Sequence, residues 1–164
     1  MPQLSAPPVS LLDPYTGEQA LPLYKTSVTV KGGEAGHGRA SGHAVSDDGA
    51  LELALRLPAD LGGPGGATNP EQLFAAGYAA CFHGAMNLVA SKNGIRLEGD
   101  VAITAEVTFA RDPADGMFLL SAGIVAKIPN LDEDTALGLV RETEAICPYA
   151  KMSRDGIQHS IKLA

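Results

Sequence analysis

From Gln72 to Ser91 the chain carries no formal charge, and a stretch that long has two possible homes: a bilayer, or the interior of folded protein. Composition decides between them. The stretch holds Gln72, His83, Asn87 and Ser91 and is otherwise rich in alanine and glycine. That mixture suits a helix buried in protein better than one in lipid, so no membrane span is expected. Its start is well marked. Asn69 stands where a cap is needed, Pro70 occupies the first helical position, and Gln72 completes a capping box. The helix is expected to end at Lys92 or Asn93, stopped by Gly94, and to be packed on nearly all sides.

Around this helix the pattern alternates between strand and helix signals. Tyr24 to Val30 alternates and is β-branched, a strand; Lys31 to Gly38 is a glycine-rich turn, and Arg39 to Ser46 is a candidate return strand. After the turn signal Asp47-Asp48-Gly49, Ala50 to Leu57 sets Leu51, Leu53, Leu55 and Leu57 on one face and Glu52, Ala54 and Arg56 on the other. Beyond the central helix, Val101 to Ala110 and Met117 to Ile128 form a hairpin across the turn Arg111 to Gly116. Leu131 to Ile146 is an amphipathic helix with Ala136, Leu139, Val140, Thr143, Ile146 and Cys147 on one stripe. Ile157, Ile161 and Leu163 alternate in a last strand. The sum is an α+β domain of antiparallel sheet with a long buried helix at its centre. So apolar a helix needs more cover than these strands supply, and a homodimer is expected.

Two spans are read, a proline-rich extended arm over 1–23 and a domain over 24–164, the arm ordered only where it docks on a neighbour. Met1 to Pro22 has neither a basic start nor an apolar run, so no secretory leader is expected and the chain is read as cytoplasmic. A formal net charge of -7, with no Lys/Arg cluster, argues against nucleic acid and anionic membrane as partners.

Two cysteines do not make a disulfide scaffold, so a bond between them is expected to be transient and catalytic. Cys81 lies mid-helix and Cys147 where Pro148 turns the second helix into something else. Spacing alone favours a plainer reading for each, since free cysteine is among the most buried residue types and packs as a small hydrophobe. A reactive Cys81 must be ionised, against a free pKa of about 8.5. It sits about three turns past the helix start, too far for the helix dipole to act. A cation is required, and Arg39 or Arg56 is the candidate, since arginine stays charged when buried and forks between acceptors.

The run from Leu61 through Gly-Gly-Pro-Gly-Gly-Ala-Thr-Asn-Pro-Glu-Gln-Leu-Phe-Ala-Ala-Gly-Tyr-Ala-Ala to Cys81-Phe82 resembles the signature of organic hydroperoxide resistance (Ohr/OsmC) proteins, and Cys147-Pro148-Tyr149 matches the second signature. The order of elements agrees from about Tyr24 to Ala164. The resemblance implies an intertwined α+β homodimer that reduces organic hydroperoxides. It makes Cys81 the peroxidatic thiol, oxidised to a sulfenic acid, and Cys147 the resolving thiol that condenses with it. Many members take electrons from dihydrolipoamide, so a lipoylated protein or another dithiol is the expected reductant, with no bound cofactor.

The family also sets a glutamate and an arginine beside the peroxidatic cysteine, and Glu71 corresponds to the glutamate. On its own terms Glu71 is a first-turn acid favoured by the helix dipole. Ten residues of unbroken helix would set it roughly 15 Å along the axis from Cys81, so either an arginine spans much of that gap or the helix is irregular. Here the chain departs from the pattern, because Gly32-Gly33 is followed by Glu34 where the family has arginine. Arg39 supplies the charge if that loop is lengthened; Arg56 is the rival, by the placement seen in the OsmC branch. Other departures are Ala150 and Lys151-Met152 after the second signature. Tyr78, Phe82, Tyr149 and Met152 are candidate walls for an apolar substrate, or simply core. His83 is expected to hydrogen-bond locally, and the four scattered histidines lack metal-site spacing, so no metal is expected. The alternative is a non-enzymatic redox-sensing or ligand-binding member of the same fold, motivated by Glu34.

Overall fold

A computed structural model describes residues 4–163 in two compact units, one of Tyr15–Phe74 and one formed by the residues on either side of it. Residues 1–3 of the expected arm and Ala164 lie outside the described residues.

In the first unit β1 (Val28–Lys31) is followed by a short helical turn, α1 (Gly38–Ser41), and by β2 (His43–Ser46) and β3 (Glu52–Ala54). The three strands form one antiparallel sheet in the order β1-β2-β3, with Thr29 opposite Val45 and Ala44 opposite Leu53. The first expected strand is therefore shorter, and the second starts only at His43. Local hydrogen bonds explain the late start of β2. The Ser41 hydroxyl accepts from the Ala35 N–H at 2.8 Å and donates to the Gly32 carbonyl at 2.5 Å, which closes the loop on itself. The N–H groups of Ala40 and Ser41 both reach the His37 carbonyl. Gly33 makes the closure sterically possible: its φ is +64°, and a Cβ there would collide with the Ser41 carbonyl. The leucine alternation holds beyond the ladder. Leu55 is buried and bridges to Thr68, whose carbonyl accepts the Arg56 N–H at 2.9 Å.

Helix α2 (Pro70–Lys92) starts as its sequence requires, with Asn69 Oδ1 accepting the Gln72 N–H at 2.9 Å. Such a cap is worth about 1 kcal/mol. The reciprocal half of the capping box is replaced: the Gln72 side-chain oxygen takes the Thr68 hydroxyl at 3.0 Å. At the far end Gly94 (φ +67°) gives its N–H to Ser91 and Ile95 gives its own to Ala90. That pair of bonds is a Schellman closure, and Ile95 packs on the core beside it.

In the second unit β4 (Ala102–Arg111) and β5 (Phe118–Lys127) pair antiparallel along their whole length, from Ala102 opposite Lys127 to Arg111 opposite Phe118. Ile103, Ala105, Val107 and Phe109 alternate with exposed Thr104, Glu106 and Thr108, so one face of the hairpin turns inward. Helix α3 (Glu133–Ile146) is capped by Asp132, whose side chain accepts from the Thr135 N–H. Met86, Val89 and Ala90 of α2 and Leu139 of α3 form the buried cluster, joined by Leu12, Ile95, Leu97, Val101, Ile103, Ile128 and Leu131. Leu12 belongs to a short 3₁₀ turn, Val9–Leu12, so the arm docks on its own chain there.

Three expectations change. The central helix is not covered all round: Tyr78, Phe82, Met86, Val89 and Ala90 are buried, but Ala76, Ala80, His83 and Gly84 face outward. By length and composition α2 could cross a membrane, a test that the core helix of a folded protein also passes, and its buried residues supply this core. Ile146 is 41% exposed rather than on the buried stripe. The last strand is replaced: α4 (Pro148–Asp155) follows α3 directly, and 156–163 have no regular structure. Alternation at Ile157, Ile161 and Leu163 offers a strand's face, but a strand also needs a ladder partner, and among the described residues none pairs with this segment.

Candidate active site

Pro148 governs the position of the second cysteine. It bars Cys147 from helical geometry, and Cys147 adopts φ -65°, ψ 120°, ending α3 and capping α4 at once. Its N–H still reaches the Thr143 carbonyl at 2.9 Å, and its own carbonyl accepts the Lys151 N–H at 2.9 Å. Tied on both sides, the residue is fully buried and turns its sulfur toward α2. The Sγ atoms of Cys147 and Cys81 lie 3.7 Å apart, both free thiols. Cys81 is partly exposed. Residues that are distant in sequence thus meet at a separation from which a bond of about 2.05 Å needs only a small closing motion.

Burial pushes the Cys81 thiol above its usual range. The backbone N–H of Tyr149, in the first turn of α4, pulls the other way, and Cys147 pushes it up further. The net direction is upward. Left to these neighbours Cys81 stays protonated near neutral pH, so a nucleophilic role requires a positive charge from elsewhere.

A built cation sits in the Tyr15–Phe74 unit. Arg39 Nη1 donates to both oxygens of Glu71 at 2.8 Å, with side-chain exposures of 27% and 15%. Glu71 stands in the first turn of α2 and Arg39 in α1. Shielded hydrogen bonds between charged groups are worth about 1.5–3 kcal/mol, enough to hold a long side chain in one pose. Arg56, by contrast, gives its Nη1 to the adjacent Leu55 carbonyl at 2.9 Å. The Gly32 to Gly42 loop, closed through Ser41, is what carries Arg39.

The four candidate wall residues separate. Tyr78 and Phe82 are buried and line a cavity of about 270 Å³ with Ala122, Gly123, Ile124, Val140 and Glu144. Tyr149 stacks on Tyr78, ring centroids 5.9 Å apart, and Met152 is half-buried; neither lines that cavity. His83 is exposed, and its Nδ1 accepts from Asn87 Nδ2 at 3.2 Å. Among the described residues no three His, Cys, Asp or Glu side chains gather in a way that could hold a metal ion. Sequence reasoning missed the Tyr149 amide beside Cys81, although Pro148 at a first helical position was a signal for α4.

The fold has counterparts among known proteins. A family model described as OsmC-like protein matches residues 63–162, which include Glu71, Cys81 and Cys147. This chain belongs to the OsmC-like, organic hydroperoxide resistance family. An organic hydroperoxide resistance protein of Xanthomonas axonopodis pv. citri is 41% identical over 143 residues, 87% of this chain and 95% of its own length. Among solved structures, an organic hydroperoxide resistance protein of Legionella pneumophila superposes with a TM-score of 0.73 at 43% identity, covering 83% of this chain and 93% of that one. OhrB of Bacillus subtilis gives a TM-score of 0.70 at 40% identity, with 82% and 93% covered. Arg39 lies ahead of the matched region in this chain.

Proposed function

We propose that this chain is a thiol peroxidase that reduces organic hydroperoxides to alcohols. The observation that carries the reading is the 3.7 Å approach of the Cys81 and Cys147 sulfurs; the names of the relatives supply the substrate class. In the first step the Cys81 thiolate attacks the terminal oxygen of the hydroperoxide. An S–O bond forms, the O–O bond breaks, and the alkoxide leaves as alcohol after taking a proton, with Cys81 now a sulfenic acid. Cys147 then attacks the Cys81 sulfur: S–S forms, S–O breaks, and water leaves. An external dithiol of the dihydrolipoamide type, free or on a lipoylated protein, reduces the disulfide by exchange and is itself oxidised.

In this reading Arg39, held by Glu71, supplies the charge that lowers the Cys81 pKa. Support comes from the doubly bonded Arg39–Glu71 pair, which holds one shielded guanidinium in a fixed pose. The apolar part of the substrate rests on Tyr78 and Phe82, with Tyr149 and Met152 as further candidates. The working form is a homodimer, a reading supported by apolar side chains this chain leaves uncovered, among them Phe118, Leu120, Val125 and Ile161.

The reading is tested by steady-state reduction of cumene hydroperoxide with dihydrolipoamide as donor. Sustained turnover is expected. No turnover by protein whose two thiols were reduced at the start would instead favour a redox sensor or ligand-binding role, the alternative that the raised Cys81 pKa supports. The cation has its own test, alkylation of Cys81 as a function of pH in a Cys147→Ser background. Removing a neighbouring positive charge raises a thiol's pKa. Arg39→Met is therefore expected to move the rise in rate to higher pH, costing about tenfold at pH 7, the worth of one pKa unit. If Arg56→Met produces that shift and Arg39→Met does not, the charge is assigned to the wrong arginine.

A further inference from the structure

Gly77 stands one helical turn before Cys81 on α2, so the two share a face. It is not there for backbone freedom, since its φ is not in the left-handed range. Its value lies in the missing side chain. A Cβ at Gly77 would sit 2.9 Å from Tyr149 Oη, 3.3 Å from Cζ and 3.5 Å from Cε1. The tip of the Tyr149 ring thus rests in a notch on α2. It has little freedom to swing aside, because its ring stacks on Tyr78, which is only 7% exposed and anchored in the same helix. Tyr149 is two residues from Cys147, joined through Pro148, whose ring fixes φ, and Ala150 beyond it is buried. Displacing the Tyr149 ring therefore moves the segment that carries the Cys147 sulfur.

We propose that Gly77 is a positioning residue for the thiol pair: its notch seats Tyr149 against α2 and so sets the Cys147 sulfur within reach of Cys81. The inference rests on the redox pairing proposed above and adds the feature that makes the pairing efficient. Three contacts from the Cys147–Tyr149 segment then fall along less than two turns of α2, at Gly77, Tyr78 and Cys81. The segment docks as a unit, and bond formation between the sulfurs gains from orientation established beforehand.

The test equilibrates reduced protein with glutathione redox buffers and reads the fraction of Cys81–Cys147 disulfide in wild type, Gly77→Ala, Tyr149→Phe and the double variant. Alanine is the better helix former, so any loss in Gly77→Ala is not a weakened helix. Gly77→Ala is expected to shift the equilibrium toward the dithiol by about tenfold or more, the scale of a small misplacement of reacting atoms. Adding Tyr149→Phe removes the oxygen that the new Cβ meets and is expected to restore the disulfide close to the level of Tyr149→Phe alone. Gly77→Ala closing as readily as a wild type that does close overturns the inference by itself. So does a double variant as impaired as Gly77→Ala. A wild-type pair that never closes in any of the buffers overturns the peroxidase reading too.

Discussion

Cys81→Ser is expected to abolish hydroperoxide-dependent oxidation of the dithiol, a fall of roughly 10⁴-fold or more, as when a covalent nucleophile is removed. The serine hydroxyl fits the space of the thiol but does not ionise near neutral pH, and no base stands within hydrogen-bond range of Cys81 among the contacts described. The comparison is made at equal protein concentration with cumene hydroperoxide and dihydrolipoamide, following donor oxidation. Retained turnover in Cys81→Ser would mean that the reaction does not pass through this sulfur. Cys147 would then be the remaining thiol to examine, although it is fully buried where Cys81 is partly exposed.

Cys147→Ser has a different signature. The attack on peroxide is left to Cys81, so one equivalent of hydroperoxide is expected to be consumed in a first, rapid phase. The sulfenic acid then has no thiol at 3.7 Å to condense with, and steady turnover with the dithiol is expected to slow sharply or stop. Excess peroxide should drive Cys81 on to sulfinic acid, read as a mass gain of two oxygens on that residue. Wild-type protein is expected to resist this, because disulfide formation competes with the second oxidation. A Cys147→Ser variant that turns over at the wild-type rate without over-oxidation would show that resolution is performed by the external dithiol directly. The role of Cys147 would then be packing.

The parts of this molecule that were legible in its sequence are those specified locally. Asn69 and Pro70 announce the start of α2, and Gly94 its end, because a cap is a matter of a few adjacent residues. The Cys147–Pro148 break is local in the same way. The alternation of β4 is equally plain, since one inward face is a period-two pattern. What the sequence concealed depends on partners far along the chain, or on groups that a residue lacks. The turn holding Arg39 looked extended, because the Ser41 hydroxyl that closes it bonds to backbone on the other side of the loop. The last eight residues alternate, yet alternation alone supplies no neighbouring strand. Gly77 reads as one small residue among several; its use appears only when the Tyr149 hydroxyl is found over it. The meeting of Cys81 with Cys147 belongs to the same class, since spacing alone left each as an ordinary buried hydrophobe.

Cys147 closes one helix and opens the next, so α3 and α4 are coupled through a single residue. A longer linker would let a sulfur travel while both helices stayed still. Here the chain offers no such slack, because the Cys147 N–H and carbonyl are committed to Thr143 and Lys151 on either side. Drawing the two sulfurs from 3.7 Å to covalent length, about 2.05 Å, has to be absorbed by side-chain rotation or by a tilt of α4 as a stiff lever. Because α4 is short and ends at Gly156, a tilt at its root is carried outward to Arg154 and Asp155 at the surface. In the redox cycle proposed above, closing the bond is therefore expected to be felt at the surface, where the proposed dithiol donor would meet the protein.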